Sequence, residues 1–307
     1  MITQKFYGDD ALIDRCVVTL AGNRGLMLVG EPGTAKSRLS ELFCAAISGN
    51  STHTIQGTAG TTEDQIKYSW NYALLIAECP SPKAFVPSPL YTGLSRGQLV
   101  PRCPPEIQDS LVSVLSDKVL MVLELGGDER VLLAQKGFNV IATANIRDHG
   151  VNEMSSALKR RFNVETVAPI FNLALERQRV LEQAQALLAE SNVPVAIAPD
   201  VVELLVSTFH DLRSGQTQEG TVVERPTTVM STAEAVAVSV SAGFDAYYLG
   251  DGTVTSEHVV RNLVGTILKD NLEDAKKLTH YFNVFVKGRA QKHPHWEGYY
   301  KARKWLR

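Results

Sequence analysis

Lys36 and Ser37 close a stretch whose residue types suit one chemistry, the holding of phosphate. The apolar run Leu26-Met27-Leu28-Val29 is short enough for a buried strand and breaks at Gly30. Glu31, Pro32, Gly33, Thr34 and Ala35 form a tight loop, and a helical pattern opens behind Ser37 with Arg38, Leu39, Leu42, Phe43 and Ala46. Strand, loop and helix in this order are the setting of a phosphate-binding loop. Backbone N–H groups of the loop and of the helix start converge on the anion. The Lys36 ammonium can reach terminal phosphates, and the Ser37 hydroxyl can join the shell of a Mg²⁺ ion. The usual pattern is G-x-x-x-x-G-K-[ST], and Ala35 stands here in place of its last glycine. A plain Gly/Pro turn between a strand and a helix is the competing reading, and the ordered context argues against it.

The elements that must position this loop follow from periodicity and punctuation. A lead-in helix is expected from about Asp9 to Ala21, stopped at Gly22-Asn23-Arg24-Gly25. The loop helix ends at Gly49-Asn50, and His53-Thr54-Ile55-Gln56-Gly57 reads as a second strand. Thr62 and Gln65 carry a capping pattern for a helix running from Ile66 to Glu78. Pro80-Ser81-Pro82, Pro87-Ser88-Pro89 and the segment from Gly93 to Gly97 read as one long irregular connection. Pro104-Pro105-Glu106 opens a helix reaching Asp117. Lys118 to Leu125 and Glu129 to Leu133 read as a β-hairpin around Gly126-Gly127. Phe138 to Asn145 is a second buried-strand pattern, and Asn145 at its end would suit a turn cap equally well. A short basic helix, Met154 to Arg161, precedes a β-leaning Phe162 to Val167.

Beyond Pro169 the pattern turns helical, over 173–191, Pro199 to Leu212, Ser231 to Leu249 and from Thr255 onward. The organisation expected is therefore a first domain over 1–169, a helical domain over 170–286 and a basic, aromatic tail over 287–307.

Composition sets outer bounds. The chain has 307 residues, 44% of them hydrophobic and 21% charged, with a formal net charge of −2. That balance disfavours a chain built mainly to bind polyanions. Cys16, Cys44, Cys79 and Cys103 form no C-x-x-C pair, and Cys16 and Cys44 sit in helical apolar patterns, so reduced core thiols in a reducing compartment are expected of those two. No run reaches the ~18 apolar residues needed to span a bilayer, and no signal-like segment opens the chain. A cytoplasmic protein is the reading that fits. His293 and His295 lack a third ligand nearby, which favours a surface pair over a metal site. The tail mixes Lys287, Arg289, Lys292, Lys301, Arg303, Lys304 and Arg307 with Trp296, Tyr299, Tyr300 and Trp305. It suits nucleic acid by charge and stacking or a helix packed on the protein, and the slightly acidic chain makes nucleic acid the lesser of the two.

Taken as a set, the phosphate loop, the strand ending in Asn145, the arginine pair beyond it and the helical second half resemble an AAA+ ATPase. Particular phrases are similar to its MoxR branch. They are Gly30 to Ser37 with alanine before the lysine, Pro104-Pro105-Glu106-Ile107-Gln108, Ile141-Ala142-Thr143-Ala144-Asn145, and Leu158-Lys159-Arg160-Arg161-Phe162. The resemblance covers about residues 8–270. It implies an α/β fold, a P-loop core with a mainly parallel sheet flanked by helices, followed by a helical lid. It implies ATP and Mg²⁺ as cofactors, with Gly30, Glu31, Pro32, Gly33, Thr34, Ala35, Lys36 and Ser37 on the nucleotide and Ser37 toward the metal. Asn145 would be sensor 1, orienting the attacking water. Arg161, with Arg160 as second choice, would reach a neighbouring subunit's nucleotide. An arginine supplied in trans to a phosphoryl transition state is worth roughly 10³–10⁵ in rate. A homo-oligomeric ring, hexameric in the family's habit, and a protein substrate bearing a von Willebrand factor A domain complete what the resemblance implies.

Two positions depart from the family pattern. No carboxylate lies between Leu94 and Cys103, where the family carries the acids that hold Mg²⁺ and polarise water. Pro101 also discourages a central strand there. Glu124, Glu106 and Asp109 are poorly placed substitutes. The family's sensor-2 arginine falls at Ala233, with Arg225 the nearest stand-in. Nucleotide binding is accordingly expected ahead of hydrolysis, and a catalytically impaired scaffold is the alternative reading.

Overall fold

The computed structural model describes residues 2, 6, 9–55, 66–103, 108–145, 156–228, 230–268 and 271–306. Chain contacts divide it into two units, one of Met1–Glu31 with Ala35–Ala168, the other of Pro32–Thr34 with Pro169–Arg307.

The first unit is built on a parallel sheet. Helix α1 (Asp10–Ala21) is capped by the Asp9 side chain, which accepts from the Ala11 N–H. Strand β1 (Gly25–Gly30) then runs into the phosphate loop and helix α2 (Lys36–Ser48). A small antiparallel ribbon follows, β2 (Tyr68–Trp70) with β3 (Phe85–Pro87), enclosing helix α3 (Tyr72–Glu78). Helix α4 (Pro89–Arg96) leads to β4 (Leu99–Cys103), and helix α5 (Gln108–Asp117) to a hairpin of β5 (Val119–Met121) and β6 (Val131–Leu133). Strand β7 (Asn139–Asn145), the short helix α6 (Ser156–Lys159) and β8 (Phe162–Thr166) complete the unit. The sheet order is β4-β7-β1-β8, with every pairing parallel.

Alternation of side chains across the strands explains the unbroken apolar runs of β1 and β7. Met27, Val29, Val140, Ala142 and Ala144 pack in one core with Leu90, Leu94, Val114 and Phe162. Leu26, Leu28 and Ile141 pack on the other face with Leu12, Leu39 and Phe43. Strands covered on both faces lose the polar half of the period-two pattern. Cys16 and Cys44 are buried free thiols in that second core, and burial pushes each up to about 12.

Four sequence expectations change. Residues 53–55 form no strand, and the rest of that stretch, with Thr62 and Gln65, lies outside the described residues. The helix expected from Ile66 to Glu78 is interrupted by β2, because Tyr68 and Trp70 stack on Phe85 and Asn71 starts a new helix by capping Leu74. The connection expected to be irregular contains β3 and α4, the latter capped by Ser88 with Pro89 in its first turn. A strand does form at Leu99–Cys103 despite Pro101. It lies at an edge of the described sheet, paired with β7 alone, and its register shifts between Val100 and Cys103. Edges and bulges are where a strand tolerates a residue without an N–H. Pro104 to Ile107 and Met154 fall outside the described residues.

The second unit is helical. Its main helices are α7 (Leu173–Glu190), α8 (Pro199–Ser214), α9 (Thr232–Leu249) and α10 (Ser256–Leu263). A long helical stretch follows as α11 (Leu272–Tyr281), a π-helical segment (Phe282–Val286) and α12 (Lys287–Lys292), and α13 (His295–Lys301) lies beyond it. Ser231 and Glu234 form a capping box at the start of α9. Trp296, Tyr299 and Leu306 are buried in the same core as Val180, Leu205, Phe209 and Ala242. Residues 287–306 therefore contribute to that core rather than forming a free appendage. Arg289 is the polar anchor: its guanidinium bonds Asp211 Oδ2 at 2.7 Å, the Tyr281 hydroxyl at 3.1 Å and both Glu219 oxygens at 2.9 and 2.8 Å. Among the described residues no helix is long and apolar enough to cross a membrane.

Candidate functional site: a phosphate loop beside Asn145

Gly30 closes β1 at the carboxyl end of the sheet, where ligands of open α/β folds bind. The chain turns through Gly33 (φ +76°) and Ala35 (φ 60°, ψ 26°), both left-handed, before α2 begins. Glycine would take the second of these conformations without a Cβ clash, which is the physical reason the usual motif carries it there. Ala35 adopts it at a steric cost of roughly 1–2 kcal/mol.

The start of α2 suits an anion. Its first turn holds no acidic residue, and no side chain caps it, so its leading N–H groups and positive pole are left for a ligand. Lys36 is only 7% exposed, and its Nζ donates to the carbonyls of Gly30 (3.0 Å) and Glu31 (2.7 Å). Both acceptors are backbone carbonyls of the loop itself, so the buried ammonium is held where the loop turns. A phosphate fits that donor set. Ser40 is fully buried and donates to the Ser37 carbonyl at 2.7 Å, bracing the turn that presents the Ser37 hydroxyl. Among the described residues no group of three or more His, Cys, Asp or Glu side chains could hold a metal ion.

Asn145 ends β7 directly opposite Gly30 in the parallel register. Period-two alternation places it on the face of Ile141 and Leu28, the face that α2 covers. The structure thus brings together the loop, Lys36, Ser37 and Asn145.

It holds the arginine pair elsewhere. The Gly25 N–H donates to the Arg161 carbonyl at 2.9 Å, so Arg161 lies at the amino end of β1. Gly25 and Gly30 are the two ends of a six-residue strand, five steps or roughly 17 Å apart at ~3.3 Å per residue, beyond the reach of one side chain. Arg161 is held by Ser116 and by the Ala157 carbonyl, whereas Arg160 is exposed.

β4 occupies the strand position next to β7, and no residue from Leu99 to Cys103 is acidic. Glu106 lies outside the described residues, and the Asp109 side chain is likewise undescribed. Glu124 is occupied otherwise: it lies beyond β5 in the hairpin loop and accepts the Tyr68 hydroxyl at 2.7 Å. Arg225 is folded against Gly215 within the helical unit.

Sheet, loop and helical second unit define a P-loop nucleotide-binding fold of the AAA+ class. Residues 25–162 match the AAA domain of the dynein-related subfamily, and residues 174–307 match the YehL-like AAA+ ATPase C-terminal domain. The uncharacterised protein YehL of Escherichia coli (strain K12) is 50% identical over 307 residues, covering 98% of this chain and 84% of that protein. The chain belongs to the YehL-like AAA+ ATPases. Solved structures of NtrX from Brucella abortus share the fold. The complex with ADP has a TM-score of 0.56 at 11% identity, covering 98% of this chain and 66% of that one. The complex with ATP has a TM-score of 0.53, also at 11% identity, covering 98% and 69%.

Proposed function

We propose that the chain binds ATP with Mg²⁺ and acts as a MoxR-like, ring-forming chaperone, a hexamer in the cytoplasm that remodels or activates a partner protein. The pairing of Gly30 with Asn145, beside a buried Lys36, carries this reading. Lys36 and the start of α2 would hold the phosphates, Ser37 would join the Mg²⁺ shell, and Asn145 would orient water. Bound Mg²⁺ would supply charge neutralisation along the phosphates. Arg161 lies too far from its own chain's loop to serve it, which supports action on a neighbouring copy and hence a ring. Residues 1–169 would be the nucleotide-binding domain and the helices from 170 the lid, with 287–307 contributing to the lid core. A protein with a von Willebrand factor A domain is the partner class that the resemblance suggests.

A second reading has its own observation. With no acid on β4, the same chain would bind nucleotide as a scaffold without turning it over. An ATPase assay run beside nucleotide-binding calorimetry separates the two. Turnover that Lys36→Ala abolishes supports the enzyme, whereas tight binding without turnover supports the scaffold, and neither binding nor turnover sinks both. A nucleic-acid role is disfavoured by the tail's contacts. Trp296 and Tyr299 are buried, Arg289 is ion-paired inside the protein, and Lys301 and Lys304 pair with Glu297 and Glu257. Binding that persisted undiminished in high salt would likewise argue against phosphate contacts.

A further inference from the structure

We propose that Ser116 is a positioning residue for Arg161, fixing the guanidinium that one copy offers to its neighbour's nucleotide. The inference rests on the trans role of Arg161 given above. Ser116 lies in the last turn of α5, and its hydroxyl oxygen accepts from Arg161 Nε at 2.6 Å. Arg161 Nη1 donates to the Ala157 carbonyl of α6 at 3.2 Å. A guanidinium carries five N–H donors in a planar fork. These two bonds use one N–H on Nε and one on Nη1 and leave three donors, including both on Nη2, for phosphate oxygens. The carboxyl end of α5 adds the negative pole of a helix beside the cation, and no basic residue of α5 itself occupies its last turn.

The same geometry separates the two arginines. Arg160 shares the turn and the charge but has no corresponding side-chain anchor in α5 or α6 among the described residues. A long side chain held at Nε loses less freedom when it meets an anion, so pre-orientation raises the rate without altering ATP affinity. Ser116 touches neither nucleotide nor water and acts only through Arg161.

The test compares Ser116→Ala, Ser116→Thr, Arg161→Ala and the double variant Ser116→Ala/Arg161→Ala in steady-state ATP hydrolysis by the full chain. Ser116→Ala should lower kcat roughly 3- to 10-fold with KM for ATP unchanged, the range expected when one charged hydrogen bond is lost at a solvent-exposed site. Ser116→Thr, which keeps the hydroxyl, should restore most of the rate. In the Arg161→Ala background the serine change should have no further effect. Ser116 is exposed, so equal melting temperatures are expected throughout. Wild-type kcat in Ser116→Ala, or an additive loss in the double variant, would overturn the proposal while leaving the trans arginine standing. Full activity in Arg161→Ala would overturn the trans reading itself. If no variant turns over ATP, the same four chains are compared for ATP-dependent self-association by sedimentation. Ser116→Ala should then weaken assembly in the same pattern, and a chain that does not assemble with ATP overturns both statements.

Discussion

Gly30 and Asn145 are paired residues at the carboxyl ends of adjacent parallel strands, so the backbone that opens the phosphate loop and the amide that would face its water share one register. Register is fixed here by cores on both faces of the sheet, not by the loop. Removing the amide should therefore leave the loop in place. Asn145→Ala is expected to keep ATP affinity within a few-fold while lowering turnover by roughly 10²-fold, the usual scale for losing one polar group aimed at the reacting centre. Calorimetry and phosphate release together check this. Affinity that falls as far as turnover would mean Asn145 shapes the loop instead.

Lys36 should behave in the opposite way. Its ammonium is buried against loop carbonyls, so Lys36→Ala removes a charged contact available to both ground and transition states. A loss of at least ~10-fold in ATP affinity, about 1.4 kcal/mol, is expected. Unchanged affinity would remove the loop from the binding site.

Ala35 offers a stability test. Its left-handed backbone is strained for an L-residue, and glycine would relieve that strain while gaining freedom in the unfolded chain. The net gain from Ala35→Gly should be on the order of 0.5–1 kcal/mol, a rise of about 1–4 °C in Tm. Ala35→Val should lower Tm. A melt that ranks the three in any other order would contradict the strain.

The Arg289 cluster makes stability depend on pH in a stated direction. Hydrogen bonding to Arg289 lowers Glu219 from 4.5 to about 2. A carboxylate depressed on folding contributes stability above its unfolded value, and that contribution is lost as pH falls from about 4.5 toward 2. Burial raises Asp211, against the pull of Arg289, so that group works in the opposite sense. The difference in Tm between wild type and Glu219→Gln should accordingly be largest above pH 5 and shrink on acidification. Glu219 is more than half exposed, which keeps the effect small. A difference that grew toward pH 3 would contradict the assignment.

Residues 287–306 should prove indispensable to the helical unit. Tyr299 is fully buried and donates to Thr208 at 3.2 Å, and Trp296 lies under the Arg289 guanidinium, 4.9 Å from ring centre to cation. Tyr299→Ala or Trp296→Ala should cost about 3–5 kcal/mol, read from denaturant unfolding. A truncation after Val286 that kept a cooperative transition would show the tail to be dispensable.

Much of this was legible in the residues because local and tertiary preferences agree. The apolar runs of β1 and β7 announce strands buried on two faces, and Asp9, Ser231 and Gly49 announce helix ends through caps that the structure shows. β4 was hidden because Pro101 forbids a regular ladder, and the register shift between Val100 and Cys103 accommodates it. Tyr68 and Trp70 sit in an apolar stretch whose spacing also suits a helix; stacking on Phe85, a distant residue, decides for strand. The tail left two readings open, and the burial of Trp296 and Tyr299 decides for the packed helix. Charge and aromatic content describe its surface chemistry, but the pairing of Arg289 with Asp211, 78 residues away, is a fact of the fold.

That separation has a kinetic consequence for the second unit. Helical bundles fold fast when their contacts are local, and closing long loops comes before any reward from the contacts they permit. Here the Arg289–Asp211 and Tyr299–Thr208 bonds span 78 and 91 residues. The helical unit is thus expected to refold more slowly than its helix content suggests, with the closure of α12 and α13 onto α8 as its late step. Stopped-flow refolding followed by Trp296 fluorescence would time that step, because the indole reaches its buried site only when the closure is made.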